Sequence, residues 1–200
     1  MVARTGRRPG NPDTREAILV AARDAFADRG FDGASIRAIA TAAGVDPALV
    51  HHYYGSKDQL FLESMRVPID PGAAISAALG GGVDGAGERL VRMLLTIWDS
   101  PAGIGAAAVI RSAVSNETFA RMLREFIARV IMRRIAKSLD LDPAEAPMRT
   151  GLVATQVAGL ILTRYIVQVQ PLASAPPEVL VGLIGPTVQR YLTAPLPDLT

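Results

Sequence analysis

The sequence predicts an all-α protein, with a small N-terminal helix-turn-helix unit followed by a larger helical unit. Three observations carry that prediction. Apolar residues recur at i, i+3, i+4 and i+7 along most of the chain, and strand-like alternation is almost absent. Two short helical patterns near the N-terminus are joined by a glycine turn behind a longer one. Half of the 200 residues are hydrophobic, which is enough for a buried core and excludes disorder as the main state.

The elements follow in chain order. Met1 to Pro12 is a basic arm in which Arg4, Arg7 and Arg8 stand with no acidic residue among them. Asp13 and Glu16 form a capping-box-like start to the first helix, which carries Ile18, Ala22, Ala25 and Phe26 and stops at Gly30. Phe31-Asp32-Gly33 reads as a turn. Ser35 then caps a second helix with Ile36, Ile39, Ala40 and Ala43 on one face, and Gly44 ends it. Asp46 caps a third, with Pro47 at the first helical position, where a missing N–H costs nothing. It runs to Tyr53 and breaks at Gly55. Ser56 caps a fourth helix, carrying Leu60, Phe61 and Met65.

Helices as short as the second and third are marginal alone, so a shared core must hold them. Val67 to Gly87, rich in Gly, Pro and Ala, reads as a connection with one short helix near Ala73 to Leu79. Longer helices follow: Glu88 to Asp99, Ala102 to Val114, and Glu117 to Leu139 after Asn116. The last of these has Arg121, Arg124, Arg129, Arg133, Arg134 and Lys137 on its polar face. Asp142-Pro143 opens a helix reaching about Gln170, and Pro176-Pro177 opens the final one, to about Leu192.

Composition closes several routes to function. There is no cysteine, so disulfides, thiolate metal sites and cysteine nucleophiles are excluded. The two histidines, His51 and His52, are neighbours, and adjacent helical residues diverge by ~100°, unlike the i, i+4 spacing of helical ligand pairs. No metal, no cofactor and no catalytic residue is expected. The acids are scattered on charged faces, and no nucleophile–base pair is evident. Met1 to Pro12 lacks the apolar core of a signal peptide. The most apolar stretch, Gly151 to Val169, carries Gln156, Arg164 and Gln168. A cytoplasmic protein with no membrane partner is the expectation. Charge is uneven: residues 1–57 hold eight Arg/Lys against six Asp/Glu, and residues 58–200 hold thirteen of each. The net positive charge therefore lies in the first quarter, as attraction to a phosphate backbone asks.

The stretch Ser35-Ile36-Arg37-Ala38-Ile39-Ala40, then Ala43-Gly44-Val45-Asp46-Pro47-Ala48-Leu49-Val50-His51-His52-Tyr53-Tyr54-Gly55-Ser56-Lys57-Asp58-Gln59-Leu60, resembles the DNA-binding domain of TetR-family transcriptional regulators. The resemblance covers Asp13 to about Met65. It departs from the family's commonest pattern, in which the recognition helix often ends Leu-Tyr-Tyr-His-Phe. Here Val50-His51-His52-Tyr53-Tyr54 stands in that place, so no base preference is carried over. The resemblance implies a DNA-binding domain over residues 13–66, with its helix-turn-helix at about 34–53. A helical ligand-binding and dimerisation domain over 67–200 would follow.

In that frame the third helix enters the major groove, with Pro47, Ala48 and Leu49 at its leading end. Ala48 and Leu49 suit apolar contact such as a thymine methyl. His51, His52 and Tyr53 offer hydrogen bonds to bases or phosphates. Lys57 pairs with a phosphate, and Ser35 and Arg37 lie where the backbone crosses. Plainer roles stay open: Leu49 finishing the core, Tyr53 packing on the first helix, Arg37 a solvated charge.

In the C-terminal part, Met93, Ile97, Trp98, Ile110, Val114, Phe126 and Ile127 come from three middle helices that would surround a largely apolar pocket. Gln156 and Arg164 are its polar outliers. The last two helices are poor in charge, with only Arg164 and Glu178 between Thr150 and Pro186, and the resemblance implies a homodimer through them. The expected function is a dimeric, sequence-specific repressor that leaves a palindromic double-stranded DNA operator when a small, largely apolar effector binds. The alternative is a helix-turn-helix regulator controlled by a protein partner or without a small-molecule ligand.

Overall fold

The computed structural model describes residues 12–65 and 70–197. Every described element is helical, with no strand among the described residues. The chain divides into two compact units, residues 1–66 and 67–200.

The first unit holds α1 (Pro12–Gly33), α2 (Ile36–Ala42), α3 (Pro47–Tyr54) and α4 (Lys57–Ser64). The helical path of α1 breaks at Gly30, whose φ of 73° and ψ of 178° suit glycine alone. The residues after the break are helical rather than a bare turn, and they return Phe31 to the core. There Phe31 stacks with Phe26 at 5.9 Å, and Phe61 of α4 meets both rings edge-on at 5.1 and 5.2 Å. Such pairs add about 0.5–1.5 kcal/mol each beyond burial. Ile18, Ala22, Ile39, Val50 and Leu60 complete the core around them. The helix starts at Pro12, so Asp13 lies inside it rather than at its cap. The arm ahead of Pro12, with Arg4, Arg7 and Arg8, lies outside the described residues.

The second unit holds α5 (Pro71–Leu79), α6 (Ala86–Trp98), α7 (Pro101–Ser115), α8 (Glu117–Phe126), α9 (Arg133–Ser138), α10 (Ala146–Ile161) and α11 (Pro177–Thr193). A π-helical turn, Ile127–Met132, joins α8 to α9, and another, Leu162–Ile166, extends α10. The core is centred on α6, where Leu90, Val91, Leu94 and Leu95 meet Val153 and Leu160 of α10 and Leu180, Val181 and Val188 of α11. α6 and α11 cross at two glycines. A Cβ on Gly87 would overlap the Gly185 carbonyl and lie 2.5 Å from the Gln189 backbone nitrogen, and one on Gly185 would lie 2.6 Å from Glu88 Cγ. Gln189 locks the crossing: its Oε1 accepts from Gly87 N–H (3.0 Å) and its Nε2 donates to the Val83 carbonyl (2.9 Å). α6 and α7 meet at a bend of 91°.

Two boundaries differ from expectation. α10 begins at Ala146, because the Asp142 side chain accepts from Ala144 N–H (2.8 Å) and folds 142–145 into a turn. It also ends early: the π turn stops at Ile166, and Gln168 sits at a φ of 60°, so the chain leaves the helix before Gln170. Among the described residues no single helix is long and apolar enough to cross a membrane.

Candidate nucleic-acid interface

Three side chains set the geometry of α2 and α3. Ser35 Oγ accepts from Ala38 N–H (3.2 Å), and Asp46 Oδ1 accepts from Ala48 N–H (2.7 Å) beside Pro47 at the first helical position. Gly44, at a φ of 66°, turns the chain between them, with Val45 N–H donating to the Ala40 carbonyl (2.9 Å). Caps of this kind are worth about 1 kcal/mol each, a large share for helices of two turns.

The eight residues of α3 divide cleanly around its axis. Val50 and Tyr54, four apart, are buried, and the Tyr54 hydroxyl donates to the Arg15 carbonyl at 2.8 Å. Ala48, His51 and His52 are exposed on the opposite face at i, i+3 and i+4. Leu49 and Tyr53 lie on the flank and are half-buried, as is Pro47. Burial pushes the Tyr54 phenol up from its ordinary value, consistent with a core role.

The expected contact residues therefore split into three groups. Ala48, His51 and His52 face outward, and Ser35 and Arg37 are exposed on α2. His51 Nδ1 lies 3.2 Å from the Gly55 carbonyl, an acceptor that calls for a proton on Nδ1. Tyr53 departs from the expected polar surface. Its hydroxyl is buried and has no hydrogen-bond partner among the described residues, because the side chain follows the flank inward. Lys57 is folded back as well: Nζ donates to the Asp32 carbonyl (3.4 Å) and sits 4.7 Å from the centre of the Phe31 ring.

Thr41, exposed on α2 with its hydroxyl donating to the Arg37 carbonyl (2.9 Å), stands among these groups without having been singled out by the sequence. Only its position on the outer face of a short capped helix could have signalled it. The unit is braced from behind by Arg15, whose ion pair with Glu63 (2.8 Å) raises its pKa, and by Arg23, whose Nε donates to the Ser64 carbonyl (2.9 Å).

In the second unit the expected ligand residues are spread over α6, α7, α8, α10 and the two π turns. Met93 and Trp98 pack against the core, Phe126 is buried, and Ile97, Ile110, Ile127 and Gln156 are half-buried. The side chain of Val114 lies outside the described residues. Arg164 is different. It lines a polar cleft of about 380 Å3 with Asp99, Tyr165, Gln168, Gln170 and Ala173, and it alone of the nine expected residues does so. Periodicity finds apolar faces, but this cleft arises where a π turn and an irregular loop meet the end of α6. A second buried arginine, Arg149, is structural: it pairs with Glu145 (2.7 Å) and donates to the Tyr191 carbonyl (3.0 Å). Among the described residues no group of three or more metal-ligating side chains is present.

Comparison with known proteins agrees with this architecture. Residues 18–64 match the family described as "Bacterial regulatory proteins, tetR family", and residues 84–192 match "Tetracyclin repressor-like, C-terminal domain". The chain is 30% identical over 182 residues to the HTH-type transcriptional repressor AcnR of Corynebacterium jeikeium, covering 90% of this chain and 85% of that one. It is 44% identical over 55 residues to the HTH-type transcriptional regulator BetI of Rhizobium meliloti, covering 28% of this chain and 27% of BetI. With this BetI and with the AcnR of Corynebacterium efficiens, where 34% is covered, the chain spans only about a third or less of the relative's length. The crystal structure of a TetR-family regulator from Streptomyces coelicolor A3 is similar over 94% of this chain and 98% of that one, at 41% identity and a TM-score of 0.51. The match across 84–192 alone takes in more than half of the chain, and with the helix-turn-helix ahead of it the chain belongs to the TetR family of bacterial transcriptional regulators.

Proposed function

We propose that the chain is a dimeric repressor that reads a palindromic operator through α3 and releases it when a small molecule occupies the second unit. The observation that carries the reading is the division of α3, which buries Val50 and Tyr54 and presents Ala48, His51 and His52 together. A capped two-turn helix with one uncommitted face is shaped for the major groove. Ser35, Arg37 and the N-terminus of α4 at Lys57 supply the phosphate contacts, Pro47 and Leu49 fit against the groove edge, and the ring of Tyr53 packs beside them.

Support for the dimer comes from α10 and α11. Exposed Met148, Thr155, Gly159 and Leu162 form a stripe along α10, and Val179, Gly182, Leu183 and Pro186 form one along α11. Leu183 is 69% exposed, a poor place for a leucine unless another chain covers it. Two half-sites about one helical turn apart require two recognition helices, which a two-fold dimer provides. For the effector, Met93, Ile97, Trp98, Ile110, Val114, Phe126 and Ile127 belong to the middle helices, with Gln156 as a polar anchor, and Arg164 offers a second, polar place in its own cleft.

The test is selection of bound fragments from a random DNA library at two salt concentrations, with the mass of the complex measured. An enriched palindrome held by two chains is the expected result, and salt-sensitive binding blind to sequence would overturn it. Arg37→Ala should weaken every sequence alike and lower the salt slope by about one charge. Leu49→Ala should instead change the preferred sequence.

A further inference from the structure

The cleft at the end of α6 sets opposite charges, Asp99 and Arg164, side by side. Arg164 is 9% exposed. Its Nη1 is spent on the loop beyond α10, donating to the carbonyls of Leu172 (2.7 Å) and Ala175 (2.8 Å). The other edge of the guanidinium, Nε with Nη2, is the fork that matches a carboxylate. Nε is buried with no hydrogen-bond partner among the described residues, and Nη2 is in ion-pair reach of Asp99 Oδ1 at 3.7 Å, though beyond hydrogen-bond length. Asp99 is held by the Tyr165 hydroxyl, which donates to Oδ1 at 2.9 Å, and a carboxylate has acceptor capacity beyond one bond. Gln170 Oε1 accepts from Ser174 Oγ (2.7 Å), which leaves its amide N–H groups as donors at the rim.

We propose that this cleft binds the head group of an α-amino-acid-like zwitterion, its carboxylate on Arg164 from the Nη2 side and its ammonium on Asp99. A simple anion satisfies Arg164 but meets the charge of Asp99, and a simple cation meets the reverse. An apolar molecule strips water from the Arg164–Asp99 pair and gives neither group a new partner, which is costly. An α-amino acid carries its carboxylate carbon and its nitrogen roughly 2.5 Å apart across one carbon. That spacing lies close enough to the 3.7 Å between Nη2 and Oδ1 for the four charges to alternate around the cleft. The π turn that presents Arg164 and Tyr165 is of the kind that recurs at functional sites. The Tyr165 phenol, pushed up to about 12 by burial and by its bond to Asp99, stays a neutral donor there. The consequence at the operator rests on the ligand-responsive reading above, but binding itself does not.

The experiment uses the full chain and the common amino acids as probes, by thermal shift and calorimetry. At about 10 mM a ligand with a Kd near 1 mM is close to saturating. At least one free amino acid should raise Tm, and its N-acetyl and amide forms, each lacking one charge, should bind at least about tenfold more weakly. Asp99→Asn keeps an acceptor for Tyr165, and in that variant the N-acetyl form should bind as well as the free amino acid. Absence of any shift with every amino acid overturns the proposal, and so does an N-acetyl form that binds the unaltered chain as tightly as its parent. Binding that leaves an operator complex intact upholds the site and overturns only the effector reading.

Discussion

At Tyr53 the chain places a phenol hydroxyl where nothing among the described residues accepts or donates to it. An unpaired buried hydroxyl loses its water without compensation, so Tyr53→Phe should leave stability unchanged or raise it by up to about 1 kcal/mol in urea unfolding. Operator affinity should also stay the same; a large, sequence-dependent loss would mean that the hydroxyl turns outward to reach DNA. Tyr165 makes the opposite case. Its folded pKa, about 12 against an ordinary 10, means that the native state holds this proton more tightly than the unfolded chain does. Its contribution to stability is therefore complete below pH 10 and is lost as pH rises from there through about 12. The melting temperature should fall across that window, and Tyr165→Phe should flatten the fall. Neither hydroxyl's surroundings were legible in the sequence, because Tyr53's side of a short helix depends on the partners that other helices bring, and Tyr165 is turned by a π turn that composition does not mark.

Helices whose ends are fixed by chemistry were the readable elements. Ser35, Asp46 and Ser56 each cap the helix that follows, and Gly44 and Gly55 take the positive φ that ends the one before. The π turns at Ile127–Met132 and Leu162–Ile166 were not readable, since one extra residue in a helical ladder leaves no mark in composition. Small residues in α10 and α11 signal close crossing, yet the sequence cannot say which of them face inward. The structure separates them and makes a test. Gly87→Ala drives a methyl into the backbone at Gly185 and Gln189, which cannot yield, so a loss of about 1–3 kcal/mol is expected by thermal unfolding. A methyl added at Gly159 or Gly182 would meet nothing within 4 Å. Replacing either by Ala should stabilise an isolated chain by up to about 1 kcal/mol through helix propensity. If the same replacement weakens assembly in sedimentation, the cost comes from a second chain packed against that face.

Across the whole molecule, the dimer proposed through the exposed stripes on α10 and α11 would decide how the DNA-binding unit is used. A lone recognition helix of two turns contacts only a few base pairs, so its affinity for one half-site is modest. Joining two such units makes the second contact intramolecular, at an effective concentration of order mM, and multiplies affinity by roughly 10²–10⁴ without any new contact. Leu183→Arg tests this from a distance. Leu183 is 69% exposed within the chain, so the change removes almost no internal packing and helicity should hold, while the urea midpoint should lose its dependence on chain concentration. In a dimer interface the same arginine brings an unpaired charge into an apolar seam and is strongly destabilising. The expected outcome is a folded monomer by light scattering, with operator affinity reduced about a hundredfold or more while affinity for an isolated half-site is retained. A variant that stays dimeric, or binds the palindrome undiminished, would place the assembly surface elsewhere and leave Leu183 waiting for a different partner.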